Sequence, residues 1–199
     1  MVFASLVTIL LNTLLVASHS WIDCAKFNMD LKTCDGYSRG YPGRENRDIN
    51  TVYTHLIQAR PSSYPICEKN RQGTNPLQYS TTYPMGCVKP GETIYQTWEQ
   101  NGHLNNTHPT TIRILYSDQE SRGLTNYNQV AQARIAGEMV FATDSNCFDP
   151  KNPNSVCYGN WTVPAHFKRK RVYSFVWLWR FDSNPVGEEY STCFDLYVE

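Results

Sequence analysis

Two histidines, His19 and His103, are the residues of this 199-residue chain best placed to do chemistry. His19 directly follows Val16-Ala17-Ser18, small residues of the kind a signal peptidase reads. The apolar run before them is too short and too terminal for a stable membrane span, although no Lys or Arg precedes it. Residues 1–18 therefore read as a cleaved secretory signal, and removing them makes His19 the first residue. An N-terminal His offers two nitrogens at once, its α-amine and its ring Nδ1. The amine has an ordinary pKa of about 8, so giving up a proton to a metal near neutral pH costs little. One further imidazole completes a T-shaped set of three nitrogens. Such a set suits Cu(II), which also heads the divalent affinity order. The expected cofactor is one copper ion held by His19 and His103.

His103 lies in Thr97-Trp98-Glu99-Gln100-Asn101-Gly102-His103. A strand is expected to end near Glu99, and Gly102 lets the backbone turn so that the ring projects from a loop. Loops on a rigid scaffold are where binding residues concentrate. His108, just before Pro109, is the competing second ligand and is less favoured. His55 and His166 have no comparable setting. Tyr190 belongs to Glu188-Glu189-Tyr190-Ser191-Thr192-Cys193-Phe194-Asp195, which opens the last expected strand. A tyrosine there can stand over the axial position of the copper as a bulky wall.

A histidine after a signal peptide, Gly102-His103 on a loop after a strand, and Tyr190-x-x-Cys193-x-Asp195 in the final strand together resemble the lytic polysaccharide monooxygenases. His19–Cys24 with Gly40–Arg44 is similar to fungal secreted members, with no subfamily assigned. The resemblance implies a histidine brace of His19 and His103 on an immunoglobulin- or fibronectin-like β-sandwich, with Tyr190 as the axial aromatic. It also implies an amide or carboxylate beside that ring, for which Glu188 is the candidate by position and Gln100 a weaker one. The implied activity is oxidative cleavage of a polysaccharide (cellulose, chitin or hemicellulose) at C1, C4 or both. It would need an external electron donor and hydrogen peroxide or dioxygen. Two other readings compete. One is a non-catalytic secreted copper-binding protein with the same brace, against which Tyr190 argues. The other is a metal-free carbohydrate-binding protein in which His19 is incidental. A serine hydrolase is not indicated, because no Gly-x-Ser-x-Gly elbow is present.

The elements that must position these residues read as strands. Glu92–Glu99, Thr110–Tyr116, Arg171–Arg180 and Ser191–Val198 alternate or are β-rich, and Gly137–Ala142 is a further candidate. Residues 19–85 show little periodicity and are expected to hold long loops, short strands and at most a helical turn or two. The pattern predicts one all-β domain over 19–199, an antiparallel β-sandwich with long disulfide-stapled loops. The chain has seven cysteines and no CxxC pair. In an oxidising compartment they read as disulfides. Cys24–Cys34 and Cys147–Cys157 are expected as local staples, Cys193 pairs with Cys67 or Cys87, and one cysteine is left over. Asn105-Asn106-Thr107 and Asn160-Trp161-Thr162 are glycosylation sequons suited to a secreted surface.

With 18 basic and 18 acidic residues the formal charge is zero, which argues against nucleic acid and anionic membranes as partners. The basic run His166–Arg171 is read as a solvated entry to a strand, and the protein is expected to act as a monomer. Trp21, Tyr37, Tyr41, Tyr64 and Tyr83 are able to stack on sugars, but for each of them packing within the loops is the favoured reading.

Overall fold

The computed structural model describes residues 19–59, 62–72, 78–117, 123–181 and 187–199. The expected signal segment 1–18 lies outside the described residues. Among the described residues ten strands occur in chain order: β1 (Ile22–Asn28), β2 (Thr33–Gly36), β3 (His55–Gln58), β4 (Gly86–Val88), β5 (Thr93–Glu99), β6 (Thr111–Tyr116), β7 (Arg134–Val140), β8 (Val156–Thr162), β9 (Arg171–Phe181) and β10 (Glu188–Val198). They form two sheets in an immunoglobulin-like sandwich. The smaller sheet has the order β2-β1-β5-β8. The larger has the order β3-β10-β9-β6-β7, with β4 also pairing with β10. All pairings are antiparallel except β4 with β10, which is parallel. The short β4 is thus a parallel edge on an otherwise antiparallel sandwich, as the sequence pattern predicts for the main sheets. β3 covers the β10 edge at Glu188–Ser191, and β4 covers the same edge at Leu196–Val198.

The strongest strand of the sequence, β9, is apolar on both sides because both of its faces are buried. Phe175, Trp177 and Trp179 face the inter-sheet core with Trp98, Phe141 and Phe194. Val176 and Leu178 face outward, into a second apolar layer with Ile57, Ile66 and Leu124. That layer exists because loops wrap the outer face of the larger sheet. The Cys67–Cys193 disulfide fastens those loops to β10. A buried ion pair fastens them again. Arg39 donates from Nε to Asp195 Oδ2 at 2.7 Å and from Nη2 to Oδ1 at 2.5 Å. Ser174 and Tyr79 hydroxyls also donate to the same carboxylate, at 2.7 and 2.9 Å. A third cluster, Trp21, Tyr41, Ile49 and Tyr53 with Tyr37 and Tyr83, packs the N-terminal loops.

Cys24–Cys34 and Cys147–Cys157 are the two local staples, Cys67 is the partner of Cys193, and Cys87 is the remaining exposed thiol. Bridges of this kind persist in oxidising compartments. Both sequon asparagines, Asn105 and Asn160, are exposed, as are Lys168–Arg171 before β9. Among the described residues no helix is long and apolar enough to cross a membrane. Among the described residues of the N-terminal half the helical turns are short, a π-turn at Ile49–Tyr53 and a 3-10 turn at Lys69–Arg71.

Candidate metal centre

His19 precedes β1, His103 follows β5 and Tyr190 stands near the start of β10. The antiparallel register puts all three at one end of the sandwich. Ile22 pairs with Trp98 near the close of β5, and Tyr190 pairs with Trp179 near the close of β9. The His19 and Tyr190 rings meet edge to face, with centroids 6.1 Å apart at 88°. Tyr190 is 1% exposed and stacks on Trp179 at 5.3 Å. Trp179 in turn stacks on Phe141 at 3.8 Å and donates from Nε1 to the Thr110 hydroxyl at 2.8 Å. His103 packs on the same pedestal, 5.5 Å from Trp179 and 4.7 Å from Phe181. Its floor is therefore a rigid aromatic stack continuous with the core.

The loop bearing His103 turns through two left-handed residues, Asn101 at φ 45° and Gly102 at φ 76°. Glycine adopts such a conformation freely and asparagine at a small cost. The turn is closed by the His103 amide donating to Gln100 O at 2.9 Å and the Gly102 amide donating to Pro153 O at 2.8 Å. It brings the Asn101 side chain onto the N-terminal segment, where Nδ2 donates to His19 O at 2.6 Å. Ser20 Oγ donates to Glu99 O at 2.8 Å, and the Ile22 amide donates to Thr192 Oγ1 at 3.3 Å. Three successive contacts thus tie residues 19–22 to the strands carrying His103 and Tyr190.

Glu188 accepts a hydrogen bond from the Tyr190 hydroxyl at 3.2 Å. Burial pushes the His19 imidazole below its ordinary pKa, and the Glu188 carboxylate opposes that shift. His103 is likewise lowered by burial, raised in part by Glu188, and lowered further by charge on His19. The net direction keeps both rings neutral, which is the form that offers a lone pair to a metal. Among the described residues no group of three or more His, Cys, Asp or Glu side chains gathers as a cage. A pair of imidazoles completed by a main-chain amine does not require one.

No family model and no curated protein matches the chain. Among solved structures it is similar to an AA10 lytic polysaccharide monooxygenase from Streptomyces lividans, with a TM-score of 0.38 and 12% identity over 66% of this chain. This chain spans 64% of that one. It is also similar to a chitin binding domain from Burkholderia pseudomallei, with a TM-score of 0.43 and 9% identity over 91% of this chain and 99% of that one. Likenesses of this size carry no weight for function, which is argued below from the residues alone.

The other sequence expectations fall into place around this end. His108 is exposed in the loop after His103, its amide held by Asn105 Oδ1 at 2.9 Å. Gln100 is buried and its Nε2 is committed to Asn152 O at 2.6 Å, so it braces a neighbouring loop. Of the aromatics able to stack on sugars but expected to pack the loops, Trp21 and Tyr41 are buried at 1% and 8% exposure and act as packing. Tyr64 is exposed and stacks on His55 at 5.4 Å. Sequence reasoning missed the pedestal residues Trp179 and Phe181 and the latch residue Asn101. The pedestal was legible only as strand. The signal for Asn101 was its place before Gly102 in an Asn-Gly turn.

Proposed function

We propose that this protein is a secreted copper-dependent polysaccharide monooxygenase. Copper would be held by the amine and ring of His19, freed by cleavage after Ser18, and by the ring of His103. The observation that supports this reading is the placement of His19 edge-on to Tyr190 and of His103 against Trp179, the ring on which Tyr190 stacks, with Glu188 close to both imidazoles. The donor set fits the ion: amine and imidazole nitrogens suit Cu(II), and neutral rings do not have to shed protons to bind it. When bound, copper would supply one-electron and oxygen chemistry. The protein's own residues do the rest. Asn101 holds the His19 main chain, which presents the amine and ring from one fixed residue. Tyr190, buried and stacked on Trp179, walls off one side of the pair. Its hydroxyl donates to Glu188, whose carboxylate is close enough to both rings to act on their charge and would stand near an oxygen co-substrate.

The test begins with N-terminal sequencing of the secreted protein, which is expected to start at His19. The copper-loaded protein is then incubated with cellulose, chitin and hemicellulose in the presence of ascorbate and peroxide. Oxidised oligosaccharides are expected by mass spectrometry. A start at any other residue removes the brace and overturns the reading. Tight copper binding with no oxidised product from any polymer would leave a copper-handling protein.

A further inference from the structure

The outer face of the smaller sheet carries a feature that the metal centre does not use. A cleft of about 580 Å³ opens there, within the roughly 300–1,000 Å³ range of small-molecule sites. Its walls are aromatic. Phe27 and Phe148 form one side, 6.2 Å apart, and Phe148 is backed by Tyr158 stacked at 5.0 Å. Tyr37 forms the other, backed by the buried Tyr41 stacked on it at 5.2 Å. Phe148 is 47% exposed although Tyr158 stacks on it. The floor is polar. Asp23 accepts from Trp21 Nε1 and the Tyr41 hydroxyl, both at 3.1 Å, and pairs with Arg44. Arg44 also donates to Glu99 Oε2 at 2.8 Å.

Two properties define the occupant. The charges balance: Asp23 and Glu99 stand against Arg44 and against Lys32, whose ammonium lies 5.2 Å over the Phe148 ring. An ion of either sign gains little from such a floor. The polar groups at the cleft nevertheless keep capacity. Neither the Thr97 hydroxyl, the Tyr37 hydroxyl nor Arg44 Nε has a hydrogen-bond partner among the described residues. A neutral ligand with apolar flat faces and a rim of hydroxyls satisfies both properties, whereas an apolar peptide would leave those donors unmet.

We propose that this cleft is a second saccharide site, binding a short run of uncharged pyranose units between Phe148 and Tyr37 over Thr97 and Arg44. It shares a ligand class with the polymer proposed above, but Phe148, Tyr37, Thr97 and Arg44 take no part in the copper centre. The two readings therefore fail separately.

The test is an NMR titration of the metal-free secreted protein with cellohexaose, chitohexaose and xylohexaose. At least one sugar is expected to shift the amides of Phe27, Thr97 and Phe148. Phe148→Ala, an exposed position, is expected to weaken that binding roughly tenfold, the loss of one stacking contact. Tyr37→Phe, which keeps the ring, is expected to weaken it less. The proposal is overturned if no sugar shifts these amides, if shifts appear only around His19 and His103, or if only an apolar peptide moves them.

Discussion

Replacing Asn101 with glycine removes the hydrogen bond to His19 O without disturbing the turn that carries His103. The native φ of 45° lies in the left-handed region, which glycine adopts without steric strain. Alanine at the same place loses the same bond and adds left-handed strain of roughly 1–2 kcal/mol. The pair of variants separates the bond from the backbone. A net intramolecular hydrogen bond of this kind contributes about 0.5–1.5 kcal/mol. If it orders His19 in advance of metal binding, its loss appears as weaker copper affinity by about 2- to 12-fold. Asn101→Gly is therefore expected to weaken copper binding within that range, measured by competition with a chelator of known affinity. Asn101→Ala is expected to do the same and, in addition, to lower the stability of the metal-free protein in urea. The reasoning fails if the glycine variant binds copper within twofold of the parent, because the bond would then order nothing that the metal needs.

Asp195→Asn leaves Arg39, 1% exposed, without its counter-charge, and should cost about 3–5 kcal/mol in a urea-unfolding measurement. Replacing Cys67 and Cys193 together by alanine opens a closure of 126 residues; loop entropy alone predicts a loss of about 4–5 kcal/mol, read from the shift in denaturation midpoint. His55 is buried, its Nε2 lies 2.8 Å from Pro65 O, and burial lowers its pKa. The unfolded chain therefore takes up a proton near pH 6.5 that the folded chain refuses, so this residue withdraws stability as pH falls below about 6.5 and none above it. Unfolding free energies at pH 7.5 and 5.5 should differ less in His55→Gln, which keeps a donor near Nε2, than in the parent; equal differences would show that His55 does not titrate on unfolding.

The strands that were legible are those whose sequence matches their burial. β9 and β10 carry long apolar or alternating runs because β9 is buried on both faces and β10 runs alongside its whole length. β1 was hidden because bulges between Ile22 and Phe27 break its period of two. β8 escaped notice because Gly159 and Asn160 interrupt it, and as an edge strand it needs less β-propensity. β7 begins three residues before the expected Gly137, since Arg134 and Ile135 are exposed strand residues with no core signature. At the candidate centre, chain position and a neighbouring glycine single out His19 and His103 in the sequence, and the structure places both at the same end of the sandwich as Tyr190. The Asn101 contact spans 82 residues and the Arg39–Asp195 pair 156, distances over which local sequence carries no pairing signal.

The double fastening of the loop layer to β10 bears on how the molecule opens. Segments with so little regular structure as 62–72 ordinarily fray on their own and exchange their amide protons fast. Here Cys67 is bonded to a strand that pairs on both edges, Ser191 donates to Ile66 O, and Arg39 reaches through the layer to a fully buried carboxylate. The loops cannot peel away while β10 stays in place. Their slow-exchanging amides should share one opening free energy with those of β9 and β10, so that loop layer and larger sheet behave as a single cooperative unit.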